Sequence, residues 1–286
     1  MHKHTADTGR LRFSKMHGAG NDMIILDLRN AQDPSRELCK YLANRNKGIG
    51  GDMVLGVKAP RNPLSVASFD IWTAQGESSR QCGNGARCVA AWLVRAGVTD
   101  ACEFTLDSPS GTHRVRVMEG GTYQISMGAP NFSPAAIPVF GFTEPQADYE
   151  VEVAGQNLVC AAVSMGNPHA VIDAQDKDYP IPAVGSALQN SGYFSPDVNV
   201  GFVQLESRNK IKLKVYEYGA GETLACGSGA CAAVAVLARA GRVDRSVDVE
   251  LPGGTLEVTW ESDLSAMYLS GPAEFVFDGE LAHAVV

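Results

Sequence analysis

The chain has no run of about 18 apolar residues that would cross a membrane as a helix, and no signal-peptide core near its N-terminus. It has no basic run, and its net charge of −8 disfavours a nucleic-acid or anionic-membrane surface. Its cysteines form no C-x-x-C pair, which leaves a structural metal without its usual ligands. No G-x-S-x-G elbow is present, so a serine hydrolase would lack its nucleophile. Its glycine-rich stretches neither continue into the Lys-Ser/Thr of a phosphate loop nor complete a dinucleotide fingerprint. These gaps leave a small-molecule protein with no metal, nucleic-acid or membrane partner. Seven cysteines, an odd number without secretory context, point to reduced thiols in the cytoplasm.

What the chain does contain is one stretch written twice. Cys82-Gly83-Asn84-Gly85-Ala86 recurs as Cys226-Gly227-Ser228-Gly229-Ala230, and Cys82–Asp100 matches Cys226–Asp244 at 10 of 19 positions (226 − 82 = 144). Each copy opens on Cys-Gly-x-Gly, continues as Ala-rich helix and closes on Arg-Ala-Gly, a helix C-terminal signal. The echo extends outward. Asn21–Asp27 corresponds to Asn167–Asp173, Phe69–Thr73 to Leu213–Glu217, and Pro109–Thr112 to Pro252–Thr255. Segments at nearly one offset indicate duplication within the 286 residues.

Each half reads as a turn, short strands, one helix and hairpin strands. The second helix is uncharged from Ala230 to Ala238, and a helix apolar on every side is buried on every side. The expected fold is therefore α/β of the α+β type. It has two pseudo-symmetric domains, each a mostly antiparallel, barrel-like sheet around a central helix, with the active site in the cleft between them. The expected bounds are 11–130 and 131–274, with 275–286 returning to the first half and 1–10 a polar extension. The Pro-rich segment Gly128–Pro145 marks the boundary.

A free cysteine is most often a small buried hydrophobe, and that suits Cys39, Cys88, Cys102, Cys160 and Cys231. It suits Cys82 and Cys226 poorly, since both head a helix beside flexible glycines at equivalent places. There the backbone N–H groups and the helix dipole favour a thiolate, lowering a thiol from about 8.5 to about 3.5–7.5. One acid and one base in a single cleft would result, although a redox disulfide between the halves is the alternative. A carboxylate on Gly83, Asn84, Gly227 and Ser228 accounts for the glycines and the cysteines together. Asn21, Asn167 and Asn199 are candidate polar contacts, and His169 and Glu217 candidate groups that tune a thiol.

The chain resembles the diaminopimelate epimerase family of pyridoxal-phosphate-independent epimerases. The resemblance rests on Phe13–Asp22, the Cys82 motif, Ser164–His169, Gly219–Thr223, the Cys226 motif and Leu251–Gly254. It implies a cofactor-free, two-base inversion at an amino-acid Cα by Cys82 and Cys226. It assigns Asn21, Asn167, Asn199 and Glu217 to substrate and places His169 and Glu217 near the thiols. By default the substrate would be LL-diaminopimelate, converted to its meso form for lysine and peptidoglycan, by a cytoplasmic enzyme that could be a homodimer. Three positions depart from the pattern: Met53 stands for a glutamine, Thr73 for an asparagine and Tyr218 for an arginine. In the family these hold the substrate's far end, the arginine pairing with its distal carboxylate. A tyrosine offers one neutral hydrogen bond in place of a charged fork. That favours a different amino acid, basic or aromatic for instance, lacking that carboxylate. A non-catalytic amino-acid-binding module would leave the paired cysteines unexplained.

Overall fold

The computed structural model describes residues 10–153 and 155–281. Apart from Arg10, the polar extension expected over 1–10 lies outside the described residues. The first half runs β1 (Leu11–Gly18), β2 (Asn21–Asp27), α1 (Arg36–Ala43), β3 (Met53–Lys58), β4 (Ala67–Thr73), β5 (Ser78–Ser79), α2 (Gly83–Arg95), β6 (Glu103–Ser108), β7 (Gly111–Val117) and β8 (Thr122–Gly128). The second runs β9 (Tyr149–Val153), β10 (Gln156–Ser164), β11 (Pro168–Asp173), α3 (Ile181–Gln189), β12 (Asn199–Ser207), β13 (Lys210–Glu217) and β14 (Gly221–Thr223). It continues through α4 (Gly227–Arg239), β15 (Ser246–Leu251), β16 (Gly254–Thr259) and β17 (Met267–Pro272), and β18 (Glu274–Leu281) follows.

Strand pairing repeats as the sequence does. In the first half β2 lies parallel to β3, β3 antiparallel to β4, β4 parallel to β6, and β6, β7 and β8 form a meander. The second half matches it pair for pair through β11, β12, β13, β15, β16 and β17. The halves join where β8 pairs with β17, and β18 returns to pair with β1 as β9 pairs with β10. The sheet is mixed and mostly antiparallel, and each half curls round its own glycine-headed helix.

Burial follows from composition. Every residue of α4 from Gly227 to Leu237 is buried, and α2 buries all of Gly83–Ala91 and Leu93. Both helices end as their Arg-Ala-Gly signals require. Gly97 (φ 66°) and Gly241 (φ 70°) take the left-handed conformation, and the N–H groups of Val98 and Arg242 reach back to the carbonyls of Leu93 and Leu237. The two helices share one continuous core, whereas separate clusters under α1 and α3 flank it.

Two sequence expectations need correction. Among the described residues each half has two α-helices rather than one, because parallel neighbours such as β2–β3 and β11–β12 cannot be joined by a hairpin and need a crossover. Those crossovers are α1, capped by Ser35 Oγ accepting from Leu38 N–H at 3.1 Å, and α3. Cys102, grouped with the buried thiols, is exposed in the short connection between α2 and β6. Among the described residues no helix is long and apolar enough to cross a membrane.

Candidate active site

Cys82 and Cys226 are the N-cap residues of α2 and α4, both in extended conformation. The Gly85 N–H donates to Cys82 Sγ at 3.1 Å, so a sulfur takes the place usually held by a Ser or Asp oxygen. A Cβ at Gly85 would stand 3.1 Å from that sulfur, and one at Gly229 would stand 3.2 Å from Cys226 Sγ. The second glycine of each motif thus leaves room for the sulfur to fold onto its own helix. At α4 the sulfur approaches without completing a cap hydrogen bond.

The helix heads meet. A Cβ on Gly227 would lie 3.4 Å from Asn84 Oδ1, and Asn84 Nδ2 donates to the Ala225 carbonyl at 3.2 Å across the junction. Asn84 also donates to Asn21 Oδ1 at 3.2 Å, and the Cys82 thiol reaches that oxygen at 3.8 Å. The second half mirrors this arrangement, with Asn167 Nδ2 donating to Ser228 Oγ at 3.4 Å. Cys82, Asn84 and Asn21 therefore form one group, and Cys226, Ser228 and Asn167 its counterpart. The helices start at Gly83 and Gly227, so the N–H groups of Gly83, Asn84, Gly227 and Ser228 have no partner within their helices.

Electrostatically the site departs from expectation. Both thiols are raised, not lowered. Burial pushes Cys82 up to about 11 against the pull of the Gly85 N–H, with the Glu217 and Asp52 carboxylates adding to the rise and Arg87 opposing it. Cys226, which is only 3% exposed, is also pushed well up, by burial and then by Glu217, against the pull of Gly229 N–H and Ser228. Desolvation of a thiolate exceeds what one helix terminus returns.

Glu217 faces Cys226, and its carboxylate accepts from Thr223 Oγ1; burial raises it above the ordinary glutamate range. His169 is 1% exposed and burial lowers it to about 3, so the ring is neutral near pH 7. Its Nε2 lies 3.2 Å from Asn167 Oδ1. Asn199 is buried, donates to the Pro168 carbonyl at 3.3 Å and accepts from the Tyr218 N–H at 3.1 Å.

The three departing positions fall at strand ends, two in the first half and one in the second. Met53 and Thr73 are cross-strand partners, and Tyr218 follows β13 with its ring 59% exposed. Thr73 Oγ1 is engaged by the N–H groups of Gln75 and Glu77 at 3.3 Å each. By strand register Met53 is the counterpart of Asn199, since each is paired in parallel with the third residue after the repeat's Gly (Met23 and His169). Thr73 is likewise the counterpart of Glu217. The second half is thus the more polar face.

Sequence reasoning left Asp52 and Thr223 without roles. Asp52 accepts from Asn21 Nδ2 at 2.8 Å and is held by Arg45 at 2.8 Å. Thr223 closes the Gly219–Thr223 motif and Asp52 directly precedes Met53, but only the fold shows what they touch. A cavity of about 260 Å³ beside α3, lined by Tyr179, Phe202 and Lys214 among others, lies apart from both thiols.

Comparison with known proteins places the fold first. A probable proline racemase from Agrobacterium radiobacter superposes with a TM-score of 0.72 at 15% identity, covering 94% of this chain and 92% of that one. A hydroxyproline epimerase from Agrobacterium vitis gives 0.70 at 14%, covering 96% and 92%. The chain therefore has the duplicated fold found in racemase- and epimerase-type proteins. It belongs to the diaminopimelate epimerase family, whose profile matches residues 13–133 and 161–276, and is accordingly an isomerase of the amino-acid epimerase/racemase class. It is 56% identical to an O-ureido-serine racemase of Streptomyces lavendulae over 96% of this chain and 97% of that one. A diaminopimelate epimerase of Xanthomonas campestris pv. campestris is 51% identical over 96% and 97%.

Proposed function

We propose that this protein racemises an amino acid at Cα with two thiols, and that the side chain of its substrate ends in a neutral polar group rather than a second amino-acid carboxylate. The observation that carries the reading is that Cys82 and Cys226 cap equivalent helices whose heads meet. The α-carboxylate sits on the N–H groups of Gly83, Asn84, Gly227 and Ser228. One thiolate removes the α-proton, and charge spreading into the carboxylate is held by those donors. The thiol on the opposite face then delivers its own proton to Cα, so the two sulfurs end with their protonation exchanged. Asn21, Asn167 and Asn199 orient the substrate, and Glu217 exchanges a proton with Cys226. The scheme calls for neither pyridoxal phosphate nor metal. We also place the units at 11–130, completed by β18, and at 131–274.

For the substrate, Met53, Thr73 and Tyr218 supply no cation for a distal carboxylate, and O-ureido-serine, the substrate named for the Streptomyces lavendulae relative, has none. Diaminopimelate is the second reading, favoured by the family and by the Xanthomonas relative. Cys82→Ser and Cys226→Ser should each abolish racemisation while near-ultraviolet circular dichroism stays native. Full turnover by either variant would overturn the two-thiol scheme.

A further inference from the structure

Among the described residues two buried side-chain nitrogens have no hydrogen-bond partner, His17 Nδ1 and Arg87 Nη1. The first is one atom of an imidazole whose other nitrogen lies 3.8 Å from Glu274. The second belongs to an obligate cation. Arg87 is 0% exposed on the second turn of α2, and among the described residues no carboxylate forms an ion pair with it. Its Nη2 donates to Asn84 Oδ1 at 2.9 Å, and its Nε makes a long bond to the Pro272 carbonyl at 3.4 Å. An uncompensated buried guanidinium is costly, and proteins rarely keep one without use. The repeat sharpens the point, because the counterpart of Arg87 in the second helix is Cys231. The charge stands on one side only.

We propose that Arg87 is a positioning residue of the racemisation site. From behind Asn84 its guanidinium fixes the carboxamide across the junction of the helix heads and provides a standing positive charge. The substrate α-carboxylate and a thiolate at Cys82 are the anions that complete it. The Nη2 bond takes up Asn84 Oδ1, which obliges Nδ2 to point at Asn21 and Ala225 as observed. Burial between α2, β1 and the end of β17 keeps water from screening the charge. Gly18 and Gly271 make room for it, since a Cβ on either would stand 3.0 and 3.3 Å from the guanidinium. The charges facing Cys82 are then the carboxylates of Glu217 and Asp52, which oppose the thiolate, and Arg87, which favours it.

This inference rests on the two-thiol reading, so its test includes an arm that needs no turnover. Arg87→Met and Arg87→Lys are compared with wild type for Tm, for kcat/KM, and for the pH midpoint of Cys82 alkylation by iodoacetamide, located by mass spectrometry. Arg87→Met should keep or raise Tm, because it removes an unpaired buried charge. It should lower kcat/KM by at least about tenfold and slow Cys82 alkylation roughly threefold at fixed pH. Arg87→Lys should restore the alkylation midpoint, which reads charge, but recover kcat/KM only in part, because it lacks the planar fork. An unshifted midpoint in Arg87→Met, or in Arg87→Lys with wild-type kcat/KM should the methionine variant not fold, overturns the assignment. If wild type racemises nothing, the functional reading fails while the alkylation arm still tests Arg87.

Discussion

Replacing Gly85 by alanine separates the helix from the sulfur that caps it. Alanine is worth about 1 kcal/mol over glycine inside a helix, and Gly85 carries an ordinary helical conformation, so the backbone gains. The new methyl, however, would stand 3.1 Å from Cys82 Sγ and 3.0 Å from Leu55 Cδ1. Leu55 is fully buried and has little room to yield, so the sulfur must swing off the N–H that now donates to it at 3.1 Å. A hydrogen bond to a charged acceptor is worth about 1.5–3 kcal/mol, which is roughly 10- to 150-fold in thiolate population. Gly85→Ala should therefore leave Tm within a few degrees of wild type. It should cut kcat by about one to two orders of magnitude and move the Cys82 alkylation midpoint above about 11. Unchanged kcat and midpoint with the methyl accommodated would refute the idea that the sulfur works from the helix head.

Other expectations follow from the same contacts. Tyr218→Arg should raise diaminopimelate kcat/KM roughly fivefold, since the ring is 59% exposed and a rim charge pair is worth about 1 kcal/mol or less; parallel kinetics on O-ureido-serine should show a loss, and no change on either substrate would detach Tyr218 from specificity. Stability should fall as pH drops from about 6.5 towards 3, because the unfolded chain binds a proton at His169 that the buried ring refuses. The slope approaches about 1.4 kcal/mol per pH unit for each such group, and His113, also lowered by burial, acts in the same direction. Urea titrations at several pH values should show His169→Gln with a shallower slope than wild type, and equal slopes would mean that His169 titrates normally. Asp22, lowered to about 2 with Arg45 and Lys15 beside it, acts only below about 4.

Much of this molecule is legible in its sequence because the chain states its plan twice. The offset of 144 exposed the duplicated sheet, the two helices and the thiols at their heads, and the apolar run Ala230–Ala238 required a sheet wrapped round it. The crossover helices α1 and α3 were not read, because Arg36–Ala43 and Ile181–Gln189 are only 8 and 9 residues long and carry no repeated motif at their heads. The thiol acidities were misread for a different reason. A helix terminus is visible in sequence, but the desolvation that outweighs it depends on residues such as Met127 and Leu269, which close over the helix heads from distant strands. Arg87 was hidden in plain view, as a difference inside the best-matched segment. Only the fold shows that it lies buried against Asn84.

The most direct test of the central claim is proton exchange at Cα in D₂O, followed by mass spectrometry and chiral chromatography on a panel that includes O-ureido-serine and LL-diaminopimelate. Two thiols on opposite faces predict that product carries deuterium at Cα from the first turnovers while unreacted substrate stays protiated, with O-ureido-serine consumed faster than diaminopimelate. Deuterium entering the unreacted substrate as fast as the product would point to a single base, and exchange with no amino acid in the panel would contradict the account altogether.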